Sequence, residues 1–333
     1  MMAQHLEVPG VKAEKRICRC WYRLACDDPH PLSSTDVRQS EQPVDREPSP
    51  RGAFVVHSTA MKLKFLSLVA FLVLAVSTAP PALAELAAPN ATGVSMGHVH
   101  LVVKDVEAEK HFLVLLGGVP VSNGSLQMIQ FPGVFINLRE GTPSGGTIGS
   151  RVNHFGLFVQ NMAETLGRIK PLNLTVTQNN PQQAFVLGPE GVRVELHEVK
   201  NISGPTVMDH VHLFVPAPLE AQAWYVKMFG ATPGKRGQFE TATLPGAEIA
   251  ITKDDTTQTT KGRSLDHIGF EVKNLNETVK RLEAAGVKMD RAPAMGSNGT
   301  TKIAFLFDPW GTYIELTEGL APKKPATVSE ARK

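Results

Sequence analysis

Histidine residues recur along this chain at a spacing that could build metal sites. Four segments each carry a histidine at the second position of a run of β-branched and aromatic residues, and these histidines are His98, His154, His210 and His267. Successive members of the set are 56 or 57 residues apart. A near-constant period indicates a repeated supersecondary unit, and β-branched and aromatic runs favour strands. Each histidine is therefore predicted to open a strand in one of four repeats.

Two glutamates lie in a second recurring phrase, in which a proline-x-glycine turn leads into an apolar run. The phrases cover residues 188–196 and 308–316 and contain Glu195 and Glu315. For either glutamate alone, exposure to water on a half-buried strand is the simpler interpretation. Two histidines and one carboxylate together, however, can hold a divalent metal and leave positions open for water or substrate. Taken in chain order, the predicted triads are His98, His154 and Glu195, then His210, His267 and Glu315.

Two further histidines accompany the first and third members of the set. His100 and His212 each follow a predicted ligand by two residues, so they share its strand face. We predict that they are catalytic, as general bases. A hydrogen-bonded supporting role and direct ligation of the metal are the alternatives, and His197 stands in the same relation to Glu195.

The elements that must position these residues follow in the same order in each repeat. Apolar residues at helical spacing predict helices over residues 106–116, 162–169, 219–229 and 275–285. Short apolar runs predict closing strands over residues 135–138, 193–197, 248–252 and 313–317. The predicted repeat is one strand, one helix and about three strands, which gives an α+β protein.

The histidine-opened strand, the helix and the closing phrase Asp-Pro-x-Gly-x3-Glu-Leu resemble the vicinal oxygen chelate superfamily. That group includes glyoxalase I, fosfomycin-resistance proteins, extradiol dioxygenases and bleomycin-binding proteins, and the resemblance covers about residues 96–318. It implies four βαβββ units paired into two modules with curved mixed sheets, each around a metal. The expected modules are residues 85–203, with the first triad, and residues 204–320, with the second.

Departures from the individual subfamilies leave the reaction open. Glyoxalase I has a fourth ligand, a carboxylate, at positions that match Asn137 and Ala250 here. Extradiol dioxygenases have a tyrosine where this chain has Phe185 and Phe305. The resemblance thus implies a metal-dependent lyase, isomerase or oxygenase that acts on a small substrate with two neighbouring oxygens. A non-catalytic protein that sequesters a small molecule, and a tandem with one structural half, are the alternatives.

The donor set limits the metal without choosing it. Imidazole and carboxylate donors suit a divalent ion, and Fe, Mn, Zn and Ni all accept them. The other expected partner is the small-molecule substrate, and the chain could be a monomer or a homodimer.

The N-terminal part of the chain indicates export. Residues 61–84 combine a lysine-containing start, an apolar run and an Ala-x-Ala site, which predicts a signal peptide and a mature chain from about Glu85. An uncleaved signal anchor is the alternative. Residues 1–60 are interpreted as a non-native or disordered extension, and residues 321–333 as a flexible tail. The expected protein is periplasmic or extracellular, with no membrane attachment after cleavage.

Composition excludes several classes of function. The 333 residues carry a net charge of +2 without a basic stripe, which gives no support for binding nucleic acid. The three cysteines are Cys18, Cys20 and Cys26, so the predicted mature chain has none and thiol catalysis is excluded. The length suffices for two domains of about 100–150 residues.

Overall fold

The computed structural model describes residues 85–321. The predictions for residues 1–60 and 61–84, and for the tail after residue 321, lie outside this part of the chain. Within residues 85–321, no helix has both the length and the apolar character needed to cross a membrane.

Repeats 1 and 2 each fold as one strand, one helix and three further strands. Repeat 1 consists of β1 (Val94–Val103), α1 (Val106–Leu115), β2 (Val119–Asn123), β3 (Leu126–Phe131) and β4 (Val134–Glu140). Repeat 2 consists of β5 (Val152–Val159), α2 (Met162–Ile169), β6 (Thr175–Asn180), β7 (Gln183–Leu187) and β8 (Arg193–Glu198). Two short 3-10 turns, Lys170–Leu172 and Pro189–Gly191, connect elements of repeat 2.

Repeats 3 and 4 have the same order of elements. Repeat 3 consists of β9 (Thr206–Val215), α3 (Pro218–Phe229), β10 (Thr232–Arg236), β11 (Phe239–Leu244) and β12 (Ala247–Lys253). Repeat 4 consists of β13 (Leu265–Val272), α4 (Leu275–Ala284), β14 (Met289–Met295), β15 (Lys302–Phe307) and β16 (Tyr313–Glu318). Every predicted helix begins and ends within one residue of the observed one, so the periodicity was sufficient to place them.

Local side chains set the helix boundaries. Asp105, Asn161 and Asn274 each accept a hydrogen bond from a backbone N–H three residues further on, at 2.9 to 3.1 Å. These bonds satisfy donors that the first helical turn leaves without partners. Helix α3 begins instead with Pro218, whose fixed φ suits a first helical position, and it ends at Gly230 in the left-handed conformation with φ 65°.

The strands form two mixed sheets of eight strands each. The order in sheet A is β14-β15-β16-β13-β1-β4-β3-β2, and the order in sheet B is β10-β11-β12-β9-β5-β8-β7-β6. Each opening strand pairs parallel with the last strand of its own repeat. The opening strands also pair antiparallel with each other, β1 with β13 and β5 with β9. The predicted α+β fold of paired βαβββ units is confirmed.

The pairing of the repeats differs from the expected one. Sheet A joins repeats 1 and 4 and sheet B joins repeats 2 and 3, whereas the expected modules, residues 85–203 and 204–320, join repeats that lie in different sheets. The physical reason is that the period defines the repeats without selecting partners among four similar opening strands. Partner choice depends on contacts between strands that are distant in the chain.

The two faces of each opening strand have different roles. On β1, Val99 and Leu101 point into the apolar core while His98 and His100 point to the opposite face. One cluster of buried apolar side chains contains residues from all four repeats. The histidine-bearing faces are therefore held by strands whose other faces are fixed in a shared core.

Candidate metal centres

Cluster A is formed where β1, β13 and β16 lie side by side. His98 and His100 come from β1, His267 from β13 and Glu315 from β16, and all four are buried. One ligand atom from each side chain lies within 4.8 Å of the others. The Oε2 atom of Glu315 is 2.9 Å from His98 Nε2 and 3.0 Å from His267 Nε2. Three imidazoles and one carboxylate, all donors for divalent transition metals, thus converge on one point.

Cluster B repeats this arrangement in the other sheet. His154 comes from β5, Glu195 from β8, and His210 and His212 from β9, and all four are buried. The Oε2 atom of Glu195 is 3.0 Å from His154 Nε2 and 3.3 Å from His210 Nε2. In both clusters one repeat supplies a histidine and the glutamate, and the other repeat supplies a His-x-His pair.

All six predicted ligands lie in these clusters, but the predicted triads were wrongly composed. His98 lies with His267 and Glu315, not with His154 and Glu195. The cause is the strand register, because β1 lies against β13 with His98 opposite Gly269 and His100 opposite His267. Correspondingly, His210 lies with His154 and Glu195, not with His267 and Glu315, because β5 lies against β9.

The residue before three of the histidines orients the imidazole ring. The Nδ1 atoms of His154, His210 and His267 lie 2.9, 2.8 and 2.6 Å from a side-chain oxygen of the preceding residue, respectively Asn153, Asp209 and Asp266. An Nδ1–H that donates to this oxygen leaves Nε2 with its lone pair. In all three rings Nε2 is the atom that faces the cluster glutamate.

Two glycines allow the remaining close approach between strands. A Cβ at Gly269 would lie 1.9 Å from Cε1 of His98, and a Cβ at Gly156 would lie 2.3 Å from Cε1 of His210. Any larger residue would displace the ring. The sequence analysis missed this role, although the signal was present: β5 and β13 read Asn/Asp-His-x-Gly where β1 and β9 read His-x-His.

Several ring nitrogen atoms in cluster A have no hydrogen-bond partner within residues 85–321, and this indicates whether the residues fit a metal. Although His98 Nε2 lies close to Glu315, the two groups are not aligned for a hydrogen bond, and neither ring nitrogen of His98 has a hydrogen-bond partner within residues 85–321. The same holds for both ring nitrogens of His100. Buried polar atoms are costly unless they are satisfied. A cation shared by His98, His100 and Glu315 would satisfy one nitrogen of each ring, so the residues fit a divalent ion.

The electrostatics of cluster A agree with this assignment. Burial lowers the pKa of His98 and lowers that of His100 well below its ordinary value, so both rings are neutral. Burial also lowers the pKa of His267, but hydrogen bonds with Asp266 and Glu315 outweigh it and raise the pKa overall. For Glu315, burial raises the pKa, but contacts with His267 and His98 lower it more strongly. The cluster thus offers two neutral imidazoles, those of His98 and His100, and an ionised carboxylate, the forms that bind metal, whereas His267 would release its proton when a metal binds.

Cluster B shows the same electrostatic pattern. Burial lowers the pKa of His154 to about 4 and that of His212 to about 2. His210 gains more from hydrogen bonds with Asp209 and Glu195 than it loses by burial, and its pKa is raised. The hydrogen bonds that Glu195 forms with histidines outweigh its burial and lower its pKa.

The surroundings of the two glutamates differ. In cluster B, Glu195 Oε1 accepts a hydrogen bond from Gln183 Nε2 at 2.5 Å and lies 3.2 Å from His197 Nε2. Arg236 donates to both carboxylate oxygens of Asp209, at 2.5 and 2.8 Å, and so extends this polar layer. In cluster A, the corresponding register positions hold Ile303 and Thr317, which leave Glu315 without such a layer.

A cavity of about 90 Å³ lies beside cluster A. His100, Asn137 and Glu315 contribute to its wall. A larger surface cleft of about 650 Å³ shares His100, Leu126 and Ser297 with it. The two cavities therefore adjoin at His100, a residue of cluster A.

The fold and the clusters define a protein of paired βαβββ repeats around buried histidine and glutamate groups. Residues 207–316 match the sequence model of the Glyoxalase/Bleomycin resistance protein/Dioxygenase superfamily. The match and the fold together show that the chain resembles the vicinal oxygen chelate superfamily, as the sequence predicted.

Individual relatives resemble parts of the chain. A Vibrio cholerae protein named probable lactoylglutathione lyase is 40% identical over 58 residues, which cover 17% of this chain and 42% of that protein. Glyoxalase I from Zea mays aligns with a TM-score of 0.54 at 17% identity, over 68% of this chain and 92% of its own. A Bacillus subtilis protein named putative dioxygenase aligns with a TM-score of 0.55 at 14% identity, over 72% of this chain and 87% of its own. At these identities the solved structures show a shared fold.

Proposed function

We propose that this chain is an exported, divalent-metal-dependent enzyme, a lyase, isomerase or oxygenase that acts on a small substrate with two neighbouring oxygens. The observation that carries the proposal is the convergence of buried histidines on one glutamate in each of two clusters. The resemblance of residues 207–316 to the Glyoxalase/Bleomycin resistance protein/Dioxygenase superfamily supports it.

In each cluster, some residues would bind the metal ion and others orient the side chains that bind it. In cluster A, His98, His267 and Glu315 would hold the ion, and Asp266 fixes the ring of His267 with Nε2 turned inward. A divalent ion bound there would chelate two oxygens of the substrate and stabilise developing negative charge as a Lewis acid. The adjoining cavity admits a small oxygenated group, and Asn137 offers it a buried side-chain oxygen that has no hydrogen-bond partner within residues 85–321.

Cluster B has the same donors with a different outer layer. His154, His210 and Glu195 would hold its ion, and Gln183 and His197 keep the outer oxygen of Glu195 in place. Fe, Mn, Zn and Ni are the proposed metals, because imidazole and carboxylate donors suit all four.

Metal content and turnover test the proposal. The full chain, purified and reconstituted with each candidate metal, is expected to hold about two equivalents. The H98A and H210A variants are each expected to lose one of them, whereas H111A, a change of an exposed histidine on α1, is expected to lose none. A turnover screen would then use compounds with two neighbouring oxygens. Metal binding with ligand affinity but no turnover would favour the sequestering protein, and a chain that binds no metal would refute the proposal.

Export is a separate part of the proposal and depends on residues 61–84. We expect the chain, expressed with its native N-terminal segment in a bacterial host, to be recovered outside the cytoplasm with a new N-terminus near Glu85. Fractionation and N-terminal sequencing measure this. Recovery of uncleaved chain in the membrane fraction would favour the signal anchor instead.

A further inference from the structure

His100 and His212 occupy equivalent places in the two sheets. His100 lies opposite His267 on the antiparallel neighbour and beside Asn137 on the parallel neighbour. His212 lies opposite His154 and beside Ala250 in the same way. From the resemblance to glyoxalase I, a carboxylate ligand would be expected at the positions of Asn137 and Ala250. In both sheets, therefore, a histidine lies on the strand next to the position that lacks the carboxylate: His100 beside Asn137, and His212 beside Ala250.

The ring nitrogens of both histidines are available to a cation. Each ring contributes one nitrogen to a group whose ligand atoms all lie within 4.8 Å of one another. Neither nitrogen of His100 has a hydrogen-bond partner within residues 85–321, and nor does Nδ1 of His212. His212 Nε2 lies 2.7 Å from Thr252 Oγ1, so donation by Nε2–H to this hydroxyl leaves Nδ1 with its lone pair.

Asn137 cannot be a fourth ligand that the two clusters have in common. Its side-chain oxygen is buried without a partner, but its counterpart in cluster B is Ala250, which has no donor atom. The histidine is present in both clusters, in the same register and with the same burial.

We propose that His100 and His212 are the fourth protein ligands, so that each centre holds its cation with three imidazoles and one carboxylate. The inference rests on the proposed function, because it presupposes that the clusters bind metal. Three neutral imidazoles and one carboxylate leave a divalent centre with a net charge of +1, which suits an anionic substrate that binds through two oxygens. Such nitrogen-rich centres favour transition metals over Mg²⁺ and Ca²⁺.

The experiment isolates one cluster at a time in the full chain. H154A/E195A removes two ligands from cluster B and leaves cluster A to be examined alone; H267A/E315A does the reverse. Cu²⁺ is the spectroscopic probe, because electron paramagnetic resonance counts the nitrogen atoms bound to it. Co²⁺ titration measures affinity.

In the first background, the added change H100A is expected to reduce the bound nitrogens from three to two. Loss of a group that only supports a ligand lowers metal affinity by about 10–100-fold. Loss of His100 as a ligand is expected to lower the Co²⁺ affinity by more than this. Added imidazole should restore the third nitrogen, which a purely structural role of His100 would not predict. H212A is expected to act likewise in the second background, and H111A should change neither measurement.

Two results overturn the inference in distinguishable ways. If a folded H100A chain keeps the nitrogen count and Co²⁺ affinity of its background, His100 is not a ligand and the proposed function stands. If the unsubstituted chain binds neither ion, the proposed function fails as well. Should H100A not fold, H100F, which keeps a ring of similar shape without nitrogen, gives the same two tests.

Discussion

Glu109 shows at the scale of one residue how burial controls protonation. It lies on α1 with no exposed surface, and neither carboxylate oxygen has a hydrogen-bond partner within residues 85–321. Burial, together with the negative charge of Glu190, raises its pKa from 4.5 to about 8. Between these values the unfolded chain releases the proton while the folded chain keeps it. Glu109 therefore lowers stability progressively as the pH rises from 4.5 to about 8.

Glu109→Gln is expected to stabilise the fold increasingly with pH. The neutral amide has no proton to retain, so its advantage over the wild type should grow by about 1.4 kcal/mol per pH unit within that window and then level off. Chemical denaturation at pH 5, 6.5 and 8 measures this. Glu107→Gln on the exposed side of the same helix is the control, and an advantage of Glu109→Gln that stays constant with pH would contradict the prediction.

Gly269 controls cluster A by its lack of a side chain. Gly269→Ala is expected to push the ring of His98 out of the cluster and to destabilise the fold by about 1–3 kcal/mol, because it overpacks a buried contact. Metal analysis should show weakened binding in one of the two centres, with the other unchanged. Gly167→Ala on α2, where a Cβ meets no atom within 4 Å, should instead stabilise the fold by about 0.5–1 kcal/mol. Unaltered metal content in Gly269→Ala would argue against the close contact with His98.

At the scale of the elements, strand pairing decides which ligands act together. His98 and His267 lie in one cluster, so the H98A/H267A chain is expected to keep the metal of cluster B. His98 and His154 lie in different clusters, so H98A/H154A is expected to lose both metals. Metal content per chain, measured on the two double variants, compares them directly. The triads predicted in chain order would give the opposite ranking.

Elements with local causes were predictable from the sequence. Helix α2 was placed correctly because its apolar period begins directly after the capping residue Asn161 and covers only nearby residues. The six ligands were found because each recurs at a fixed place in a repeat. These features depend on a few residues that lie close together in the chain.

Strand pairing could not be obtained in the same way. The ring of His98 requires a glycine on the facing strand, which excludes β9 as a partner of β1, since β9 carries His212 at the equivalent position. Both β5, with Gly156, and β13, with Gly269, satisfy that requirement. The choice between them depends on packing across the whole core. The polar layer of cluster B was missed because the contact between Arg236 and Asp209 joins strands with no shared motif.

At the scale of the whole molecule, the described residues do not divide at the boundary between repeats 2 and 3. Residues 85–203 contain half of sheet A and half of sheet B, and the apolar core includes side chains from all four repeats. We expect a fragment of residues 85–203 to be unfolded by circular dichroism and to bind no stoichiometric metal, although it contains His98, His154 and Glu195. Mixing it with residues 204–321 should restore metal binding. Independent folding of the first fragment with one bound metal would contradict this prediction.

The nesting of repeats 2 and 3 between repeats 1 and 4 also sets an order of assembly during synthesis. Strands β5, β8 and β9 all precede β13 in the chain, so the central pair of sheet B and all the ligands of cluster B are synthesised before β13. By contrast, one edge of β1 stays unpaired until its partner β13 in repeat 4 has been synthesised. Cluster A is incomplete until Glu315 has been added. Such long-range pairing slows folding and lengthens exposure of the waiting strand. A premature stop within repeat 4 would therefore remove Glu315 from cluster A while the chain still carries every ligand of cluster B.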